Sequence, residues 1–161
     1  MATDDFLGED LDLGFVADEQ GRVWAGPPTS ADLQARRRAI LPPATDVATV
    51  HGLMNLVQSL IMRLLTEQGE LTALGYPTYG SRHHRLVGEP NSESNRALLK
   101  LYVLECLRQE PRLEAIRSVT VQPGAGVEGR NKALIQIEVV AQGAPGPVSF
   151  VVPFAFGGAL P

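Results

Sequence analysis

Cysteine is nearly missing: Cys106 is the only one among 161 residues. One thiol excludes an internal disulfide and any zinc site built from several cysteines, and a reducing compartment is the simplest expectation. Aromatic residues are also scarce, at 6 % with a single Trp, so sugar-stacking surface is limited. No apolar run approaches the ~18 residues that would read as a membrane span, so no membrane insertion is expected. The opening Met1-Ala2-Thr3-Asp4-Asp5 has neither a basic region nor an apolar stretch, so no secretory leader is expected and a cytoplasmic site of assembly fits. Excess positive charge is missing too. The formal net charge is −4, which argues against a general nucleic-acid binder.

What is present suits one globular core: 44 % of residues are hydrophobic and 20 % charged, in a chain long enough for a single domain. Sixteen glycines and twelve prolines predict substantial loops and tails. The charge is unevenly spread. Residues 1–21 carry seven acids and no Lys or Arg, leaving the remainder at about +3. We therefore read residues 1–28 as an acidic, Gly- and Pro-containing arm, with Arg22-Val23-Trp24 as a short extended piece. Residues 29–161 form one α+β domain.

Ser30 is a plausible cap for a short helix, Ala31 to Leu41, stopped by Pro42-Pro43 and carrying Arg36-Arg37-Arg38 on a solvated face. A longer helix capped by Thr45 or Asp46 follows. Val47, Val50, Leu53, Met54, Val57, Leu60, Ile61, Leu64 and Leu65 stand at helical spacing in it. Periodicity fails between Gly69 and Pro90, apart from one turn over Arg82–Val87. Asn91 or Ser92 opens a second helix with Ala97, Leu98, Leu101, Tyr102, Val103, Cys106 and Leu107 towards the core, and Pro111 ends it. The period then changes to two over Ile116–Val121, Ile135–Val140 and Phe150–Phe154, predicting a three-stranded antiparallel meander.

Few residues stand out for chemistry. His83-His84 is the one histidine pair, and adjacent side chains diverge, so a basic surface stretch with Arg82 and Arg85 is favoured over a metal site. Gly124, Gly126 and Gly129 match a dinucleotide spacing but lie between strands, where that motif has no helix to open. Ser81 lacks the surroundings of a nucleophile elbow. The carboxylates Glu67, Glu70, Glu89, Glu105 and Glu110 could supply a glycosidase pair by chance. No metal or cofactor is implied. In Glu110-Pro111-Arg112 an extended X-Pro-X stretch aims Glu and Arg to the same side. Such a charged pair at a helix–strand corner suits docking of another chain's backbone or helix end.

At this triplet the chain resembles the baseplate wedge and sheath-initiator family of contractile phage tails and injection machines, some of whose members are labelled lysozyme-like. The matching pieces are Leu65-Thr66-Glu67-Gln68-Gly69-Glu70, the loop Tyr76-Pro77-Thr78-Tyr79-Gly80-Ser81, Glu89-Pro90-Asn91 and Glu110-Pro111-Arg112. They are followed by strand residues Leu134–Val139 and Val152-Pro153-Phe154. Leu71 and Gly88 depart from the family's usual residues. The resemblance implies a non-enzymatic component in a six-fold ring around the tail tube, meeting sheath, wedge and tube or hub proteins. Partner contacts would fall on Glu110, Pro111, Arg112, Pro77, Gly80, Glu89, Pro90 and Asn91, and the sheet would accept a sheath strand at its edge. Replacing Glu110 and Arg112 together by Ala is then expected to leave a folded monomer that cannot assemble. A peptidoglycan-cleaving hydrolase is the alternative.

Overall fold

The computed structural model describes residues 7–13, 16–17, 23–24, 35–38, 44–47, 49–126 and 129–157. In chain order the elements are β1 (Glu9–Leu11), β2 (Val16–Ala17), β3 (Val23–Trp24), β4 (Ala35–Arg38), β5 (Ala44–Val47), β6 (Thr49–His51), α1 (Gly52–Leu65), α2 (Glu93–Leu107), β7 (Leu113–Pro123), β8 (Lys132–Ala141) and β9 (Pro147–Ala155). The fold is α+β, as the change of period predicts. The meander β7–β8–β9 is antiparallel throughout. It forms most of a five-stranded sheet of order β2-β3-β9-β8-β7, in which β3 joins β9 in parallel.

Three expectations need correction. Where a helix was expected over Ala31–Leu41, Ala35–Arg38 is a strand paired antiparallel with Ala44–Val47; Pro42 and Pro43 stand in the connection between these two strands. Thr45, Asp46 and Val47 are accordingly strand residues of β5, Val50 is a strand residue of β6 paired with Asp10 of β1, and α1 begins only at Gly52, preceded by His51. The third concerns the phase of α2. Leu99, Val103, Cys106 and Leu107 are buried, whereas Ala97 and Leu101 face outward. The caps and stops agree better: the Ser92 hydroxyl accepts from Asn95 N at the start of α2.

The helices and one face of the sheet share a core of Leu56, Val57, Leu60, Ile61 and Leu64 from α1, the four buried α2 residues, and Ile135, Ile137, Phe150 and Val152. Cross-strand pairs Val119↔Ile137↔Phe150 and Val121↔Ile135↔Val152 carry it across three strands. Strict alternation would put Ile116 opposite to Val119. Register shifts between Leu113 and Ala115 and between Ile116 and Ser118 reset the phase. Leu113, Ile116, Val119 and Val121 thus all pack on the core.

Candidate partner-binding site

The chain leaves α2 at Leu107, turns through Glu110-Pro111-Arg112 and enters β7. The stretch is not extended, contrary to the X-Pro-X expectation: Pro111, with its fixed φ, sits in a tight turn closed by Leu113 N donating to the Glu110 carbonyl oxygen, and this turn brings the flanking side chains together on one side. Arg112 Nε donates to Glu110 Oε1 at 2.7 Å and Arg112 Nη2 to Glu110 Oε2 at 3.2 Å, a fork-to-fork pair. Arg63 on α1 approaches the same carboxylate at 3.5 Å. The guanidinium of Arg112 also donates to Ser59 Oγ (2.6 Å) and to the carbonyl oxygen of Leu7 (3.2 Å). The Glu110 side chain is only 5 % exposed. Burial alone would raise its pKa, but the bonds from Arg112 and the charge of Arg63 outweigh that and hold it below the ordinary value.

The pair is therefore an internal clamp that joins α1, the end of α2, β7 and the segment around Leu7. Double replacement by Ala would remove that clamp and leave Arg63 without its carboxylate, so the folded monomer expected from that variant should be a less stable one. Pro111 itself is exposed and Arg112 partly so, which leaves one rim of the corner open to a partner.

Pro77 and Gly80 lie in a loop closed at its base, where Ser81 N donates to the carbonyl oxygen of Thr66 and Gln68 N to that of Ser81. Gly80 is required there: its φ is +100°, and a Cβ would stand 2.7 Å from the Thr66 carbonyl oxygen. The loop reaches the corner through Arg63, whose guanidinium lies 4.4 Å from the Tyr79 ring centre. Leu74, Tyr76 and Pro77 are exposed on it.

Glu89, Pro90 and Asn91 form a separate place at the start of α2, which at fifteen residues is about 22 Å long. Asn91 Nδ2 donates to the carbonyl oxygens of Arg130 and Lys132, both at 2.9 Å, and Arg96 Nη1 donates to Asn91 Oδ1. Asn91 therefore ties the helix start to the head of β8, while Glu89 and Pro90 are exposed.

Sequence reasoning missed Asn55, Gln58, Ser59 and Arg63. They are polar residues at helical spacing on the otherwise apolar α1, and Asn55 and Gln58 are each 5 % exposed. That spacing was the available signal.

The residues weighed for catalysis are set for other work. His83 and His84 do not diverge; their rings stack with centres 4.3 Å apart. His83 is buried rather than superficial, bonded through Nδ1 to Ser81 Oγ at 2.7 Å. Burial and the neighbouring His84 push its pKa down to about 3, so it is a weak base at neutral pH. Burial pushes the Cys106 thiol up to about 11, which disfavours the thiolate. Ser81 and Cys106, but neither histidine, line a surface hollow of about 350 Å³ beside Arg82 and Glu105, which pair with each other. Glu110 is held ionised, the opposite of a glycosidase general acid, whose pKa is raised. Among the described residues no group of three or more His, Cys, Asp or Glu could hold a metal ion, and no helix is long and apolar enough to cross a membrane.

No family model matches the chain, and no curated relative does. A solved structure does: a Geobacter sulfurreducens protein provisionally named a tail lysozyme, with 26 % identity and a TM-score of 0.55. The likeness is to a tail protein. It covers 66 % of this chain and 93 % of the other, so the shared part amounts to nearly the whole of that protein.

Proposed function

We propose that this chain is a structural component of the baseplate of a contractile tail or injection machine, and that β7 receives a strand from the first ring of sheath subunits. The observation that carries the reading is the open edge of the sheet. β7 is eleven residues long, and among the described residues only β8 is bonded to it. An unpaired edge is a template for a further strand, and main-chain bonds supply the affinity. The likeness to a tail protein supports the setting.

The edge also limits where pairing occurs. Gly124 N donates to the carbonyl oxygen of Lys132. By antiparallel alternation, the backbone groups of Gln122, Thr120 and Ser118 face β8 and those of Val121 and Val119 face outward. Pro123 has no N–H to add, and the register shifts before Ser118 break the ladder on the other side. The docking stretch is Ser118–Gln122. The exposed rim at Pro111 and Arg112, with Pro77 nearby, is the proposed contact for wedge proteins; Glu89 and Pro90 would meet the next component at the far end of α2. The working position is a ring around the tube.

The test is recovery of the tagged full chain from its native cells, followed by mass spectrometry and negative-stain microscopy. Sheath, tube and wedge proteins in ring- or tail-shaped particles are expected. Val121→Pro removes an outward N–H and trims one half-buried core side chain, so it should keep the fold at some loss of stability and lose sheath selectively. A monomer recovered alone from cells that are making such particles would overturn the reading. The name of the similar protein favours one other reading, cleavage of peptidoglycan. Clearing of a peptidoglycan suspension by the purified chain would establish it in place of the structural one.

A further inference from the structure

The segment before β2 is gripped along its length by α1 and its surroundings. Leu7 is 2 % exposed. Its carbonyl oxygen accepts from Asn55 Nδ2 at 2.8 Å as well as from Arg112 Nη1 at 3.2 Å. The carbonyl oxygen of Gly8 accepts from Gly52 N at 3.3 Å, satisfying a free N–H at the start of α1. β1 pairs antiparallel with β6, Glu9 opposite His51 and Leu11 opposite Thr49. Gln58 then clamps the backbone from the other side. Its Nε2 donates to the carbonyl oxygen of Leu11 at 2.7 Å, and its Oε1 accepts from Leu13 N at 2.9 Å.

Asn55 and Gln58 are three residues apart and so occupy one face of α1. Gln58 reads the extended backbone with both ends of its amide. Asn55 reads it with one end only: Asn55 Oδ1 is buried without a hydrogen-bond partner. The helix, β6 and Arg112 thus make a groove that recognises an extended backbone anchored by one leucine. The bonds from Asn55, Gln58, Arg112 and Gly52 all go to or come from main-chain atoms of the segment, beside a weak, exposed approach of Glu9 to His51. No strand of the β7–β8–β9 meander is interrupted when the segment leaves.

We propose that this groove is an exchange site, which in the assembled ring takes residues 7–13 of a neighbouring copy in place of the chain's own. The proposal rests on the ring reading above. The occupant is the one the structure shows seated there, and every copy carries it. Exchange conserves all the bonds, so it requires no new surface, only copies held side by side. A chain's own segment competes at an effective concentration on the order of millimolar, and a neighbour fixed in a ring reaches a similar figure. Isolated chains keep their own segment, whereas packed copies trade it.

Two full-length variants test this. Leu7→Asp empties the groove but leaves it intact; Asn55→Ala with Gln58→Ala spoils the groove but leaves the segment free. Each alone should sediment as a monomer, and a mixture should give a one-to-one heterodimer. A fluorescent peptide of residues 5–15 should bind the Leu7→Asp chain at least tenfold more tightly than the unmodified chain, whose own segment competes. Leu7→Ala serves where Leu7→Asp does not fold. Absence of the heterodimer from folded variants overturns exchange between copies, whether or not the peptide binds. A chain that still recovers sheath in its particles while failing to form the heterodimer loses this proposal alone; one that forms the heterodimer but recovers no sheath loses the baseplate reading.

Discussion

Two triplets in this chain begin alike, Glu110-Pro111-Arg112 at the exit of α2 and Glu89-Pro90-Asn91 at its start, and the fold uses them in opposite ways. At the first, the carboxylate goes inside and two guanidinium groups follow it. At the second, the carboxylate stays in water and the neutral amide of Asn91 goes inward to two carbonyl oxygens. Each proline stands at a bend in the chain, closed by Leu113 N bonding to the Glu110 carbonyl oxygen in the first and by Ser92 N bonding to the Pro90 carbonyl oxygen in the second. What differs is the supply of opposite charge. Arg63 and Arg112 are at hand for Glu110, and a buried charge without such partners costs several kcal/mol. The amide needs only hydrogen bonds, which the backbone at Arg130 and Lys132 provides. A shared motif thus says that a corner exists, and the surroundings decide which of its side chains becomes structural.

The sharpest way to break this contrast is Glu110→Ala. Two guanidinium groups would face a dry corner with no carboxylate, and a loss of about 3–5 kcal/mol is expected in urea or thermal unfolding. Arg112→Lys should recover part of the charge but not the fork, since one ammonium cannot reach both carboxylate oxygens, Ser59 and the Leu7 carbonyl in a plane. An Arg112→Lys chain as stable as the unmodified one would show that charge alone holds the corner.

Acid separates the two corners next. Glu110 has a folded pKa below its unfolded value. Its contribution is full above the unfolded pKa, ~4.3, and is lost as pH falls through the folded value. His83 also loses stability in acid, but over a higher window. It is kept neutral down to about 3, while the unfolded chain takes up that proton near ~6.5. Stability should therefore decline from about pH 6.5 downward, by up to about 1.4 kcal/mol per pH unit. His83→Gln should remove the upper part of that slope and leave the loss below pH ~4.5, which belongs to Glu110. Denaturation midpoints between pH 7 and 3.5 for the two proteins read both windows.

How much of this was legible beforehand follows the same division. The meander, the second helix with its Ser92 cap and the turn over Arg82–Leu86 were readable, because local period, capping and β-branched content agree there. That Glu110 and Arg112 come to one side was expected from an extended Pro111, and they do meet, but through a turn closed by Leu113 N on the Glu110 carbonyl oxygen. The strand at Ala35–Arg38 was not. Its helical propensity is good, and only pairing with Ala44–Val47 overrides it. The inward turn of the corner was hidden for a similar reason. It depends on Arg63, Ser59 and Leu7, and the last of these is 105 residues away from Arg112 in sequence. The core side of β7 was obscured by two bulges, since one extra residue moves every later side chain to the other face.

Asn91→Ala tests the milder corner. It removes two bonds to carbonyl oxygens and one from Arg96, and about 1 kcal/mol should be lost, since the Lys132 carbonyl keeps its bond from Gly124 N and Arg96 its bond to the carbonyl of residue 91. The effect should be independent of pH between 4 and 7, in contrast to Glu110→Ala. A pH-dependent loss would mean that Asn91 positions a titrating neighbour and that the two corners differ less than their geometry shows.

The smallest effect should come from Glu89→Ala. Its side chain is exposed and the backbone bond from its own N–H to the Leu86 carbonyl survives the change. Stability should move by no more than about 0.5 kcal/mol, the range of ordinary surface substitutions. That silence is what gives the variant its use. A glutamate that contributes nothing to the isolated chain, in a corner matching one that contributes several kcal/mol, is free to serve a partner. Recovery of wedge and sheath proteins by the Glu89→Ala chain should therefore fall while its unfolding midpoint stays in place. Unchanged recovery would confine the partner surface to the Arg112 rim and the β7 edge.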